Sequence, residues 1–227
     1  MIVIVVIMAG ALLYLSRNPI LSLKVSNKEI LNFYAHYEVA AFSLALLTLG
    51  AIYLLAPKLR LSFLTLKNMD GPVAPSALLG IRKPGRENWR ELGLSVGLII
   101  TVITAIVMLR TTVGKTLTAA TPMDVIWVLF FALINAFTEE VIFRLSFATV
   151  GENDGIARNI TMAFGAGIFG FIHYFGIAPN GFLGMILAVY IGFFLTKSIL
   201  ETKGFFWAWL IHFLQDVVII GALTLWS

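Results

Sequence analysis

Apolar runs close to the length of a bilayer crossing recur along this chain, at about residues 1–15, 38–56, 92–109, 123–149, 159–178, 181–197 and 204–226, and no other feature restricts its fold so tightly. A helical crossing needs roughly 20 apolar residues, and lipid offers no partner to an unpaired backbone amide, so each span must satisfy its own hydrogen bonds. The pattern predicts an all-α fold, a polytopic membrane helix bundle of about seven transmembrane helices. Composition agrees: 59% of residues are apolar, 12% are charged and the mean hydropathy is +0.95, whereas a soluble domain is roughly 25% charged. The lipid bilayer is therefore the expected partner.

Charge and cysteine content remove several function classes. With no cysteine, disulfides, thiolate nucleophiles and Cys-ligated metals are all excluded. The net charge of +4 does not point to nucleic acid, because the Lys and Arg residues lie in the connections between apolar runs rather than along a stripe. The longest connection, residues 57–91, carries Lys58, Arg60, Lys67, Arg82, Lys83, Arg86 and Arg90 with Pro72, Pro75 and Pro84. It reads as a cytoplasmic loop, with Arg158 and the Lys197–Lys203 connection on the same side and the weakly charged connections near Thr116 and Pro179 outside. Leu59, Leu61, Phe63, Leu64 and Leu66 among its basic residues suggest a segment lying in the membrane interface. The first run has no basic start, and Leu12, Leu13 and Tyr14 continue through the small residues Ala9-Gly10-Ala11, so a retained helix is expected.

Small residues mark the packing. Gly184, Ala188 and Gly192 recur every four residues, as do Ala166 and Gly170, giving smooth faces for close helix approach in a tight bundle of the last four spans. Trp207, Trp209 and Trp226 suit interface anchors, and His36 beside Tyr34 and Tyr37 suits an interfacial role.

Chemistry concentrates in three patterns on separate spans: Glu139-Glu140-x-x-x-Arg144, Phe169-x-x-x-His173 and His212-x-x-x-Asp216. Ionisable groups inside a bilayer span are expensive and mark function by default. Glu139 and Glu140 point about 100° apart on a helix, whereas Glu140 and Arg144 stand at i and i+4 and can pair. Glu140 is thus expected to be supported by Arg144, leaving Glu139 free to act on water as a general base. Asp216, one turn after His212, can accept from a ring nitrogen and fix the tautomer, while Phe169 stacks one turn before His173. Counted along their spans at about 1.5 Å per residue, Glu139, His173 and His212 all measure from the cytoplasmic side, His173 deepest, so they are expected to meet in a cavity opening toward the cytoplasm.

These residues resemble the pattern of the CPBP intramembrane proteases, a group that includes the Rce1-type CAAX prenyl endopeptidases and proteins linked to bacteriocin processing or self-immunity. All three family motifs occur in order from Glu139 to Asp216, while the first half of the chain matches only in being hydrophobic. With no internal repeat or low-complexity stretch, residues 1–227 read as one integral membrane domain, with N-terminal helices in 1–122 and, by the resemblance, a catalytic core in 123–227. The resemblance implies hydrolysis of a peptide bond in a membrane-associated protein or peptide, with Glu139 and His173 activating water and His212 and the fourth residue of its motif stabilising the oxyanion. The candidate catalytic set is Glu139, Glu140, His173, His212 and Asp216, with Arg144 and Phe169 in support.

This chain has Asp216 where the family more often has Asn, and an ionised carboxylate cannot donate to an oxyanion, so Asp216 either holds a proton or only orients His212. Family members were long described as metalloproteases and are now more often treated as glutamic-type enzymes without a cofactor. Two histidines with Glu139, Glu140 or Asp216 also suffice for a zinc site, although no His-Glu-x-x-His helix is present. Two readings from other classes stand beside the protease. A proton-coupled transporter would use the same groups but place them between inverted repeats, which the sequence lacks. A catalytically silent scaffold would have no use for Glu139, His173 and His212.

Overall fold

The computed structural model describes residues 2–18, 20–81, 88–176 and 180–226. Arg82, Lys83, Pro84 and Arg86 of the basic connection, and Pro179, lie outside the described residues. Within them the chain forms seven helices: α1 (Ile2–Leu15), α2 (Glu29–Leu55), α3 (Trp89–Thr111), α4 (Pro122–Asn153), α5 (Arg158–Tyr174), α6 (Gly181–Thr202) and α7 (Phe206–Leu225). Among the described residues extended backbone makes only isolated bridges and no strand. Five helices, α2, α3, α4, α6 and α7, are long and apolar enough to cross a membrane. The other two, α1 and α5, have 14 and 17 residues, lengths of about 21 and 25 Å against a hydrocarbon core of roughly 30 Å. Leu46, Leu47 and Leu54 of α2 and Leu98, Ile99 and Val102 of α3 face outward, an apolar surface suited to lipid. The fold is a polytopic helical bundle of a multi-pass membrane protein.

Helix boundaries follow local chemistry. At the start of α4, Thr121 and Asp124 form a capping box with Pro122 in the first turn, and Asn88 caps α3 by accepting from the Glu91 amide at 2.9 Å. Lys203 adopts the left-handed region with φ 54°, which ends α6 and turns the chain into α7 within three residues.

Two clamps define the ends of the bundle. At the first end, Lys28 Nζ donates to Thr118 Oγ1 at 2.6 Å, Ser26 to Asp124 at 2.5 Å, and the Thr118 amide to the Leu225 carbonyl at 2.8 Å. These join the starts of α2 and α4 to the finish of α7. At the second end, the basic connection is laced to the bundle: the Lys58 amide donates to Asn153 Oδ1 at 3.0 Å and the Phe205 amide to the Thr65 carbonyl at 2.8 Å. Trp89 Nε1 donates to Glu201 Oε2 at 2.9 Å, and Glu201 also pairs with the buried Lys197.

This second end departs from three sequence expectations. The hydrophobic residues of the connection do not all face outward: Phe63 is buried and Leu59, Leu61 and Leu64 belong to the apolar cluster that also holds Trp89, Leu145 and Ile199, while Leu66 is exposed. Lys197 does not begin a connection, because its charge is neutralised by Glu201 one turn on and α6 continues to Thr202. Trp207 is not an interface anchor either. It is 2% exposed, packs flat where Gly93 leaves room, and donates Nε1 to the Met69 carbonyl at 2.7 Å.

Candidate active site

Glu139 and Glu140 leave α4 directly before a π-helical segment, Val141–Leu145, which widens the helix where Arg144 also leaves it. Such segments recur at functional sites because they re-aim side chains a regular α-helix would direct elsewhere. Glu140 and Arg144 are both fully buried, and Arg144 Nη1 lies 3.1 Å from Glu140 Oε1. The pair is an ion pair without hydrogen-bond alignment, for none of the guanidinium nitrogens has a hydrogen-bond partner. The guanidinium carbon sits 3.5 Å from the centre of the Phe169 ring, so a cation–π contact supplies its second neighbour. Phe169 in turn lies against His173, with ring centres 4.0 Å apart and the ring planes tilted at 48°.

His212 of α7 is held from both sides. Its Nδ1 lies 2.6 Å from Glu140 Oε1, and its Nε2 lies 3.5 Å from Glu139 Oε2 and 3.6 Å from Asp216 Oδ1. Two sequence expectations change here. The carboxylate that hydrogen-bonds His212 is Glu140, since Asp216 stands beyond hydrogen-bond reach. Neighbouring Glu139 and Glu140 were expected to serve different faces, yet both face this one ring from different nitrogens: Glu140 hydrogen-bonds Nδ1, while Glu139 stands 3.5 Å from Nε2 without a hydrogen bond. Carboxylates facing both nitrogens suit a ring that donates from both. Asp216 Oδ2 accepts instead from Asn135 Nδ2 at 3.0 Å.

His173 ends α5, and its Nδ1 lies 3.0 Å from the Phe169 carbonyl. A carbonyl only accepts, so Nδ1 carries the hydrogen and the Nε2 lone pair is left available. Glu139, His173, His212 and Asp216 all line one cavity of about 220 Å³, whose wall is otherwise mainly apolar. Glu139 is 14% exposed into this space, and its Oε2 has no hydrogen-bond partner. Glu140 and Arg144 stay behind the wall and act on the cavity through His212 and Phe169. Among the described residues no three His, Asp or Glu side chains are gathered to hold a metal ion; the nitrogens of His212 are directed at carboxylates rather than at a shared centre.

Sequence reasoning missed part of this cavity. Tyr34 and Tyr37 of α2 line it, as do Asn135 and Gln215. Asn135 had a signal, being a polar residue in an apolar run one turn before Glu139. Tyr34 and Tyr37 had only their spacing of three, and their place beside His36 suggested the interface. His36 itself is engaged there, its Nδ1 accepting from the Leu23 amide at 2.7 Å.

The cavity occupies the middle of the bundle and the half toward the first end. Leu12, Leu13 and Ser16 line it where α1 finishes, Phe33 where α2 starts, and Gly176 just past α5, whereas no described residue of the basic connection does.

Fold and site together define a multi-pass helical membrane protein with a carboxylate–histidine cluster facing an internal cavity. Residues 121–218 match the family model of the Rce1-like type II CAAX prenyl endopeptidases. The match spans all three motifs and supports a membrane protease; it does not single out the bacteriocin-processing branch. No curated protein and no solved structure matches the chain.

Proposed function

We propose that this protein is an intramembrane endopeptidase in which Glu139 and His173 activate a water molecule against a peptide bond of a membrane-associated substrate. The observation that carries the reading is the convergence of Glu139 from α4, His173 from α5 and His212 from α7 on one cavity inside the bundle. Water held between Glu139 and the free Nε2 of His173 loses a proton to one of them as its oxygen attacks the carbonyl carbon. His212, fixed by Glu140 at 2.6 Å, offers Nε2–H to the oxygen that gains charge. When the tetrahedral intermediate collapses the C–N bond breaks, and the leaving nitrogen takes the proton back. The apolar wall, with Phe33, Ile100, Ile103 and Leu187, suits an apolar segment or lipid chain, and a prenylated peptide ending in a CAAX sequence is the first substrate to try.

Glu139→Ala, His173→Ala and His212→Ala are each expected to abolish cleavage of a farnesylated CAAX peptide by the purified protein while leaving a folded, detergent-extractable chain. Uptake of a substrate without a cleaved product, lost in the same variants, would favour a transporter. The chemistry above routes no step through a metal, so activity is expected to survive exhaustive chelation; loss that zinc alone restores would overturn the glutamic-type reading.

A further inference from the structure

The proposed peptidase leaves one donor short at its oxyanion, because Asp216 as a carboxylate offers only acceptors. The cavity holds a neutral amide beside it. Asn135 is 7% exposed, lines the cavity one helical turn before Glu139, and gives one Nδ2 hydrogen to Asp216 Oδ2 at 3.0 Å. An Asn side chain carries two such hydrogens: Asp216 takes one, and the other lies on the side of Glu139, the neighbouring carboxylate that a substrate carbonyl would displace as its acceptor. The other cavity amide is already committed: Gln215 Nε2 donates to Thr101 Oγ1 at 2.9 Å and the Ile211 carbonyl at 3.1 Å, while its oxygen accepts from Thr104 at 2.5 Å. His173 Nδ1 is committed to the Phe169 carbonyl.

We propose that Asn135 is a catalytic residue whose second N–H donates to the scissile carbonyl oxygen, with Asp216 as the anchor that fixes the rotation of the amide. The assignment rests on the endopeptidase reading. As the water oxygen bonds to the carbonyl carbon, the π electrons of the carbonyl move onto its oxygen. Asn135 supplies a hydrogen bond to that oxygen and transfers no proton; proton movement stays with Glu139 and His173. A neutral amide suits this place because it donates whatever the ionisation of the four acids and bases around it.

The test is steady-state cleavage of a farnesylated CAAX peptide in detergent micelles, with thermal unfolding measured on every variant. Removing one oxyanion donor costs about 10²–10³-fold in kcat, so Asn135→Ala is expected to lose that much with KM within about three-fold of the parent, in a chain whose unfolding temperature falls with the lost Asp216 hydrogen bond but stays above the assay temperature. The isosteric Asn135→Asp should lose as much. Combining it with Asp216→Asn, which returns an amide to the pair from the other side, should recover kcat at least about ten-fold over Asn135→Asp alone. Parental kcat in Asn135→Ala overturns the assignment, and so does a double variant that regains stability without kcat. Glu139→Gln separates the two levels. If it is inactive while Asn135→Ala is fully active, only the Asn135 role falls. If Glu139→Gln cleaves normally, or the parent does not cleave, the peptidase reading falls and this assignment with it.

Discussion

Arg144 carries the heaviest structural demand of any single side chain in the site. It is fully buried, paired with Glu140 at 3.1 Å and set over the Phe169 ring at 3.5 Å, so its charge has two compensating neighbours and no exposure to bulk solvent. Breaking a buried pair from one side leaves the other charge uncompensated, at a cost of about 3–5 kcal/mol. Arg144→Met is therefore expected to lower thermal stability by about that amount, and Arg144→Met with Glu140→Gln by clearly less; equal losses in both would show that packing, not charge, is at stake. The i and i+4 spacing made this pair legible in the sequence, as it did the contact of Phe169 with His173, though the rings meet tilted rather than stacked. The two contacts to His212 were not legible, because they depend on α7 meeting α4 beside a π segment that no local pattern announces. Asn135 was visible as a polar residue in an apolar run, but its bond to Asp216 belongs to the packing of α4 on α7.

Between elements, the small-residue seam read from spacing is where α5 and α6 meet. A Cβ built on Gly170 would stand 2.3 Å from Val189 Cγ2 and 2.9 Å from the Met185 carbonyl oxygen, and one on Gly192 would stand 3.0 Å from Ala166 Cα. Backbone is among the atoms in the way, so rotamer changes alone cannot relieve the clash. Gly170→Ala is expected to destabilise by about 1–3 kcal/mol, the usual range for overpacking, seen as a lower unfolding temperature. Gly167→Ala on the same helix, where nothing lies within 4 Å, serves as the neutral comparison. An unchanged unfolding temperature in Gly170→Ala would mean that the seam is loose. Helix existence was legible because a bilayer leaves few alternatives to helix. Helix ends were less so where tertiary pairing decided them: Lys197 reads as the edge of a connection until Glu201 is seen to neutralise it within α6. Trp207 likewise reads as an anchor until Gly93 of α3 proves to be its seat.

At the scale of the whole molecule, the question is which side of the membrane the cavity serves. Lys58, Arg60, Lys67, Arg90, Arg158 and Lys203 gather at the second end, where α2, α4 and α6 finish, and the connection there also contains Arg82, Lys83 and Arg86. The first end has fewer: Arg17, Lys24, Lys28, Arg110 and Lys115. A bias of Lys and Arg in short connections places the richer side in the cytoplasm. The cavity lining reaches the poorer end and includes no described residue of the basic connection, so we propose that substrates enter from the face away from the cytoplasm. The absence of cysteine makes the test direct, since any single introduced thiol is the only one in the chain. Val113 is 82% exposed near the first end, and Lys67 is exposed in the basic connection at the second. In intact cells a membrane-impermeant maleimide is expected to label Val113→Cys, and to label Lys67→Cys only after permeabilisation. The reverse pattern would put the basic connection outside and turn the mouth of the cavity toward the cytoplasm; the charge bias would then have misled, and the position of the cavity within the bundle would stand unchanged.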